Sequence, residues 1–132
     1  ISKINPIFTP NLNEAKILLK IKYNTKLTTE EITEEFKEQF KAKVIITDGG
    51  KRLDCCEDFL IDQGIVEKFI SNKVFSKNTH GSGCTFSSAL AVNLAKGFSL
   101  KKSVRISKAF TRKCILNAPR FDLKYGPVGH LL

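Results

Sequence analysis

The stretch that decides the fold is NTHGSGCTFSSAL, from Asn78 to Leu90, in which a glycine-rich loop leads directly into a helix. Two glycines, Gly81 and Gly83, let the backbone approach a ligand closely. The first amides of the following helix have no partner within the helix, and with the helix dipole they form an anion site. Cys84 lies at the same helix end, which favours its thiolate form. An anion site beside a base is what phosphoryl transfer to a hydroxyl group requires.

A purely structural interpretation of this loop fits the spacing equally well. In that interpretation the glycines make a tight turn and Cys84 is a buried structural residue. The loop is not a Walker A motif, because no lysine follows the second glycine. His80 is open to either a structural or a catalytic role, whereas His130 is expected to be structural.

Helices and short apolar runs alternate on both sides of this loop. The alternation predicts an α/β protein with a mainly parallel sheet. The predicted sheet is incomplete, because it has too few strands for the number of helices that must cover it. The predicted elements, in chain order, are an extended run at residues 4–9, a helix capped by Asn11, a helix capped by Thr28, a buried strand at Val44–Ile46, a β-hairpin at Phe59–Phe69, a short strand at Val74–Phe75, a helix from Cys84 to Lys96, and a helix capped by Ser99 that runs to about Asn117.

Capping and apolar spacing support the first two helices. Both begin with the spacing of a capping box, in which a polar residue is followed three positions later by a glutamate. Apolar residues at helical spacing then predict the buried faces. These faces are Ala15, Leu18 and Leu19 in the first helix, and Ile32, Phe36 and Phe40 in the second.

The composition is that of one globular domain of 132 residues. A net charge of +9 is compatible with a nucleic-acid partner. The lysines, however, are spread along the chain among glutamates, and no basic run stands beside aromatic residues. We therefore expect no nucleic-acid partner, and instead a lysine-rich solvated surface with one phosphate-binding site.

The cysteines and the terminus give further expectations. Cys55, Cys56, Cys84 and Cys114 form no Cys-x-x-Cys pair, which argues against zinc and fits a reducing, cytoplasmic compartment. No stretch is apolar over the length of a membrane span, and no signal-peptide pattern is found, so we expect no membrane partner. The chain contains no methionine, which favours a fragment or a processed protein.

Four blocks, in the same order, resemble hydroxymethylpyrimidine/phosphomethylpyrimidine kinases of thiamine biosynthesis, which belong to the ribokinase-like superfamily. Residues 79–85 resemble the signature Thr-His-Gly-Thr-Gly-Cys-Thr, with Ser82 as the difference, and residues 9–15 resemble Thr-Pro-Asn-x-x-Glu-Ala. The other two blocks are residues 95–100 and residues 126–131, which match the ending Gly-Pro-Val-x-His. The resemblance covers essentially the whole chain. It implies a ribokinase-like three-layer α/β/α fold, of which this chain is the C-terminal, nucleotide-binding half.

The resemblance implies ATP-dependent phosphorylation of 4-amino-5-hydroxymethyl-2-methylpyrimidine and of its monophosphate, with ATP and Mg²⁺ as cofactors. Gly81, Ser82 and Gly83 would form the anion hole for the transferred γ-phosphoryl group. Cys84 takes the place where most ribokinase relatives carry an aspartate base. It would deprotonate or orient the hydroxymethyl group of the substrate.

The resemblance also assigns the nucleotide side. Asn11 and Glu14 match an Asn-x-x-Glu motif near Mg²⁺ and the phosphates, where Glu14 would hold the metal through water; the same spacing is also a capping box. Thr47 and Gly49 would contact the nucleotide. Asp48 stands where the family usually has a lysine that contacts the phosphates, which predicts altered or reduced activity.

The substrate pocket of this family lies largely in an N-terminal half that has no counterpart here. We therefore expect residues 1–132 to form a single partial domain that turns over poorly alone, with a homodimer mate or a missing N-terminal half as partner. Two alternatives remain open. One is a pyridoxal kinase with the same Gly-x-Gly-Cys loop. The other is a non-catalytic nucleotide-binding remnant, an alternative that Asp48 and the missing N-terminal half motivate.

Overall fold

The computed structural model describes residues 5–22, 25–47, 54–119 and 126–130 of the chain. The chain divides into two compact units between Lys73 and Val74. Within the described residues the elements are β1 (Ile7–Phe8), α1 (Leu12–Leu18), α2 (Thr29–Gln39), β2 (Lys43–Ile46), β3 (Cys55–Asp62), β4 (Ile65–Asn72), α3 (Ser82–Ala95) and α4 (Leu100–Leu116). The α/β class predicted from the sequence is confirmed. None of these helices has the length and apolar character needed to cross a membrane.

The sheet of the first unit is mixed rather than mainly parallel. Its order is β1-β2-β3-β4, with a parallel pairing between β1 and β2 and antiparallel pairings for the other two neighbours. The two-residue turn between β3 and β4 accounts for the second of the antiparallel pairings. Gln63 and Gly64 have φ angles of 49° and 77°, the left-handed backbone that a type I′ hairpin turn requires.

The predicted hairpin is therefore confirmed, and it is longer than the apolar pattern indicated. Each of its strands has eight residues, because polar positions outside the apolar runs also join the ladder. The separate strand predicted at Val74–Phe75 is not found, since both residues follow β4 without regular structure. The side chain of Phe75 is 79% exposed, so no buried sheet position holds it.

The core of the first unit lies between the sheet and its two helices. It is formed by Ala15, Leu19, Ile32, Phe36, Val44, Ile46, Phe59 and Ile61. The predicted face of α1 is correct for Ala15 and Leu19 but wrong for Leu18, which is 45% exposed. Leu19 lies four positions after Ala15 and continues its face directly, whereas Leu18 turns toward solvent. Phe40 is half-buried, and its ring centroid lies 4.8 Å from that of Phe36.

The second unit is built on a pair of packed helices, α3 and α4. The turn between them contains Gly97 with φ of 82°, as expected after a helix end. Ser99 then caps α4 by accepting a hydrogen bond from the amide of Lys102 at 3.3 Å. Inside the pair, the side-chain amide of Asn93 donates to the hydroxyl of Ser107 at 3.3 Å. Small buried residues on α4 therefore allow a close, hydrogen-bonded contact between the helices.

The two units differ sharply in charge. Residues 1–73 contain equal numbers of basic and acidic side chains, whereas residues 74–132 contain ten Lys or Arg and one acidic residue, Asp122. The expected mixing of lysines with glutamates therefore holds only for the first unit. Six of the ten basic residues lie in α4, which has no Asp or Glu: Lys101, Lys102, Arg105, Lys108, Arg112 and Lys113.

Candidate functional site

The loop before α3 ends in a glycine with a left-handed backbone. Gly81 is the N-cap of the helix and has φ of 85° and ψ of 2°. A Cβ atom at this position would meet nothing within 4 Å, so the backbone angle, not crowding, favours glycine. Only glycine adopts this conformation without strain, which explains why a glycine leads the helix.

The first turn of α3 leaves two amides for a ligand. The amide of Ser82 is used, because it donates to the carbonyl oxygen of Thr79 at 3.1 Å. For the amides of Gly83 and Cys84, no hydrogen-bond acceptor is found within the described parts of the chain. Two adjacent free amides at a helix N-terminus, together with the dipole, attract an anion such as a phosphate oxygen.

The other helices of the described chain begin differently. Asn11, Thr28 and Ser99 each accept a hydrogen bond from the third amide of their own helix. Gly81 has no side chain that could do this, and no side-chain cap is formed. The start of α3 is thus the one described helix start where the third amide, that of Cys84, lacks a side-chain partner.

The thiol of Cys84 is exposed beside these amides. It is the third residue of α3, and it is a free cysteine. Its exposure excludes the interpretation of Cys84 as a buried structural residue. Cys114 shows the contrast, since its side chain is fully buried and burial raises the pKa of its thiol.

A segment near the C-terminus, Gly126–His130, is bound to this loop through its backbone. The amide of His80 donates to the carbonyl of Gly126 at 3.1 Å, and the amide of Val128 donates to the carbonyl of His80 at 3.2 Å. The amide of Gly129 donates to the carbonyl of Cys114 at 2.9 Å. We call this segment the clasp, because it joins the loop to the end of α4.

The clasp brings His130 to the first turn of α3. The Nε2 atom of His130 lies 2.9 Å from the hydroxyl oxygen of Thr85, and that hydroxyl donates to the carbonyl of Gly81 at 2.9 Å. Sequence reasoning assigned no role to Thr85 and only a structural one to His130. The signal was present, since both belong to the blocks that resemble the family, but spacing along the chain does not show that the two blocks meet.

A second group of predicted site residues lies in the first unit. Asn11 and Glu14 form the predicted capping box, in which each backbone amide donates to the side chain of the other, at 2.8 and 2.9 Å. Asn11 also pairs with Thr47 in a parallel bridge, and the amide of Thr47 donates to the carbonyl of Pro10 at 2.9 Å. These residues therefore meet where the parallel strands β1 and β2 end, the edge at which open α/β sheets bind ligands.

This group is compatible with a magnesium ion held largely by other ligands. Glu14 is exposed and uses one carboxylate oxygen, Oε2, in the capping box. Among the described residues, no cluster of three or more His, Cys, Asp or Glu side chains is placed to hold a metal. Mg²⁺ commonly takes one or two carboxylates together with water and phosphate oxygens, so a single glutamate fits that chemistry.

The structure thus groups the predicted site residues in two sets. Gly81, Ser82, Gly83 and Cys84 are consecutive at the start of α3 in the second unit. Asn11, Glu14 and Thr47 are together in the first unit. Asp48 and Gly49 lie outside the described residues. The nucleotide contact of Gly49 and the altered or reduced activity expected from Asp48 therefore remain predictions.

Solved structures identify the class of the fold as that of ribokinase-like kinases. The chain resembles pyridoxal kinase from Bacillus subtilis in an ADP complex, with a TM-score of 0.81 and 31% identity, over 94% of this chain and 47% of that one. It also resembles pyridoxal kinase from Staphylococcus aureus in complex with AMP-PCP, with a TM-score of 0.78 and 32% identity, over 94% and 46% of the two chains.

The sequence model of the phosphomethylpyrimidine kinase family matches residues 1–129, and the chain belongs to this family of kinases. The resemblance inferred from the four sequence blocks is therefore confirmed. Relatives include the thiamine biosynthesis bifunctional protein ThiED of Geobacter sulfurreducens, at 31% identity over 96% of this chain and 26% of the relative.

Two further relatives carry different substrate names. Hydroxymethylpyrimidine/phosphomethylpyrimidine kinase of Staphylococcus aureus is 32% identical over 94% of this chain and 46% of the relative. Pyridoxine kinase of Bacillus subtilis is 31% identical over the same shares. The chain therefore spans about half the length of these two relatives, or less in the case of ThiED.

Proposed function

We propose that this chain supplies the ATP side of a kinase that phosphorylates 4-amino-5-hydroxymethyl-2-methylpyrimidine and its monophosphate. The observation that carries the proposal is the pair of free amides, those of Gly83 and Cys84, at a helix start without a side-chain cap. Family membership gives this anion site its reaction class. The complexes of related kinases with ADP and AMP-PCP support a nucleotide as the phosphate donor.

The proposed chemistry uses the start of α3 twice. The amides of Gly83 and Cys84 stabilise the negative charge on the equatorial oxygens of the transferred group. The sulfur of Cys84 accepts the proton of the substrate hydroxymethyl group, or orients that group. The hydroxyl oxygen of the substrate then attacks the γ-phosphorus. The bond from the γ-phosphorus to the bridging oxygen breaks, and ADP leaves with the electron pair.

In the first unit, taken by itself, the group at the end of the β1–β2 pair would contact nucleotide phosphates. Asn11 and Thr47 lie at the same end of the β1–β2 pair, and Glu14 offers the carboxylate oxygen that the capping box does not use. When bound, Mg²⁺ would neutralise negative charge on the nucleotide phosphates. Glu14 would hold it through water, which fits the single carboxylate found in this group.

Pyridoxal is the second candidate substrate. A Bacillus subtilis relative is named pyridoxine kinase, and a related Staphylococcus aureus kinase has been solved with AMP-PCP and pyridoxal. Both substrates carry a hydroxymethyl group on a six-membered heteroaromatic ring, so the same Cys84 chemistry applies to either. The identities of 31% and 32% to the two kinds of relative do not separate them.

We further propose that residues outside these 132 complete the substrate pocket, in the same chain or in a second one. The chain spans 46% of the Staphylococcus aureus relative, which supports this proposal. Steady-state assays of the complete protein with each substrate test the choice between hydroxymethylpyrimidine and pyridoxal. Turnover of neither substrate would favour the non-catalytic remnant instead.

Replacing the thiol tests the role of Cys84. In the complete protein, Cys84→Ala is expected to lower kcat by about 100-fold to 10,000-fold, the range for loss of a general base, while ATP still binds. Cys55→Ser is the matched control, because Cys55 is a free, half-exposed cysteine of the other unit. Unchanged turnover in Cys84→Ala would remove the thiol from the mechanism.

A further inference from the structure

We propose that His130 is a positioning residue for the phosphate site and acts on it through Thr85, with the clasp holding His130 in place. The inference rests on the proposed function, because it gives the anion site a specific support. It goes beyond that function by assigning a role to His130, which lies 45 positions after Thr85 in the sequence.

The direction of the hydrogen bonds follows from the single proton of a hydroxyl group. The hydroxyl of Thr85 donates to the carbonyl of Gly81 at 2.9 Å, so it can only accept from His130. The proton of the imidazole is therefore on Nε2. The three groups form one chain of hydrogen bonds, from His130 through Thr85 to the carbonyl of Gly81.

This chain fixes the peptide group between Gly81 and Ser82. Its carbonyl accepts from both the hydroxyl and the amide of Thr85, each at 2.9 Å, and its N–H donates to the carbonyl of Thr79 at 3.1 Å. Because a peptide group is planar, bonds at both ends set its orientation. The next two amides, those of Gly83 and Cys84, continue from that plane, so their direction depends on it.

Two glycines let the clasp lie close enough to deliver His130. A Cβ atom on Gly129 would lie 2.5 Å from the carbonyl oxygen of Asn117, which is backbone and cannot move aside cheaply. A Cβ atom on Gly126 would collide with the side chain of Asn78, which is itself held by a hydrogen bond to the carbonyl of Pro119 at 3.1 Å. Neither glycine is among those with a positive φ, so the backbone angle does not require glycine at these positions. The close contacts of a Cβ atom do require it.

Val128, one of the two residues between these glycines, anchors the clasp. Val128 is 6% exposed, and its amide bonds to the loop carbonyl of His80. The amide of Gly129 bonds to the end of α4. His130 itself is exposed apart from its contact with Thr85, so packing does not explain its position. Donors held in advance require no reorganisation when charge develops on a bound phosphate, which is the advantage this support provides.

The test compares variants that remove or keep the donor. His130→Leu removes it, whereas His130→Gln keeps an N–H donor at a similar reach. Thr85→Val removes the hydroxyl, and Thr85→Ser keeps it. Thr111→Val is the matched control, because Thr111 makes the same hydroxyl-to-carbonyl bond, to Ser107 at 2.9 Å, within α4.

Calorimetry with ADP and with inorganic tripolyphosphate gives the first readout, on this chain and on the complete protein. His130→Leu and Thr85→Val are each expected to weaken binding about tenfold, the loss of one net hydrogen bond, and the double variant no further. His130→Gln and Thr85→Ser should stay close to the parent chain, as should Thr111→Val. Amide chemical shifts of Gly81 and Gly83 should move in His130→Leu without ligand.

The outcomes separate this inference from the proposed function. If the parent chain binds neither ADP nor tripolyphosphate, the proposed function fails, and the Gly81 and Gly83 shifts still decide the positioning role. Parent-like binding and unmoved shifts in a folded His130→Leu would overturn the inference. If His130→Leu does not fold, a loss of binding in folded His130→Gln equal to that of Thr85→Val would overturn it, because the restored donor should preserve binding.

Discussion

Asn11 and Glu14 exchange hydrogen bonds across the first turn of α1, with the amide of each residue donating to the side chain of the other. The motif that resembles a metal and phosphate site is therefore also the structure that starts the helix. The two roles use different properties of the same side chains. Helix capping needs an acceptor oxygen, whereas metal binding needs negative charge. They can therefore be separated by substitution.

Asn11→Ala should lower the free energy of unfolding by about 1 kcal/mol, the usual cost of losing an N-cap. Urea denaturation at neutral pH measures this change. Asn13→Ala, at an exposed position in the same turn, serves as control and should be nearly neutral. Equal stabilities for the two variants would mean that the cap contributes nothing.

Glu14→Gln should leave the helix start intact, because Gln also serves at the third position of a capping box. The charge is lost, so the Mg²⁺ concentration for half-maximal activity of the complete kinase should rise about tenfold. A magnesium titration at saturating ATP measures the shift. An unchanged midpoint, with normal thermal stability, would exclude Glu14 from the metal site.

Gly81→Ala should destabilise the chain by about 1 kcal/mol and weaken tripolyphosphate binding, because its φ of 85° strains any side chain. Gly83→Ala is the matched comparison. It lies in the helix with open space around its Cβ position, so it should stabilise the fold by up to about 1 kcal/mol. Thermal unfolding distinguishes the two, and a stabilised Gly81→Ala would contradict the left-handed N-cap.

The excess charge of the second unit should attract polyphosphates over a distance. Lys102→Glu with Lys113→Glu reverses two charges on α4, and Lys22→Glu with Lys26→Glu makes the same net change in the neutral unit. The α4 pair should slow ADP association several-fold at low salt, and the difference should vanish near 1 M salt. Stopped-flow measurements of the ADP association rate at several salt concentrations test this prediction. The same dependence of the rate on salt concentration in the two double variants would contradict it.

Lys68 should give the first unit a stability that is lost at high pH. A hydrogen bond from its ammonium group to Glu30 and an ion pair with Glu57, each at 3.1 Å, raise its pKa above the ordinary 10.5. A raised pKa in the folded state adds stability that is complete below 10.5 and is lost as the pH rises through the folded value. Lys68→Met should therefore lose less stability between pH 9 and pH 12 than the parent chain does.

What sequence reasoning predicted well is local. The capping boxes, the hairpin and the glycine that ends α3 depend on residues a few positions apart, and the structure confirms them. The mixed sheet was missed because alternation of helices and strands does not show the direction in which a hairpin adds to a sheet. The exposure of Leu18 was missed because Leu18 and Leu19 both lie at helical spacing from Ala15, so the apolar pattern does not show which of the two is buried.

In the candidate site, too, the features that depend on neighbouring residues were predicted, and those that join distant residues were not. The loop from Gly81 to Cys84 was recognised from consecutive residues, and the structure describes it as the start of α3. The contact of His130 with Thr85 joins two separate blocks, which no spacing rule connects. The charge difference between the units could not be predicted, because the sequence alone does not show that the chain divides after Lys73.

The 45-residue separation of Thr85 and His130 also bears on the order of folding. Closing so long a loop costs entropy before any contact offsets it, whereas α3 and α4 form from near neighbours in the chain. The helical hairpin should therefore form first and the clasp close later. In a refolding experiment, helical circular dichroism should therefore recover before tripolyphosphate binding does. The reason is that the loop before α3 should reach its final conformation only when the clasp has closed on it.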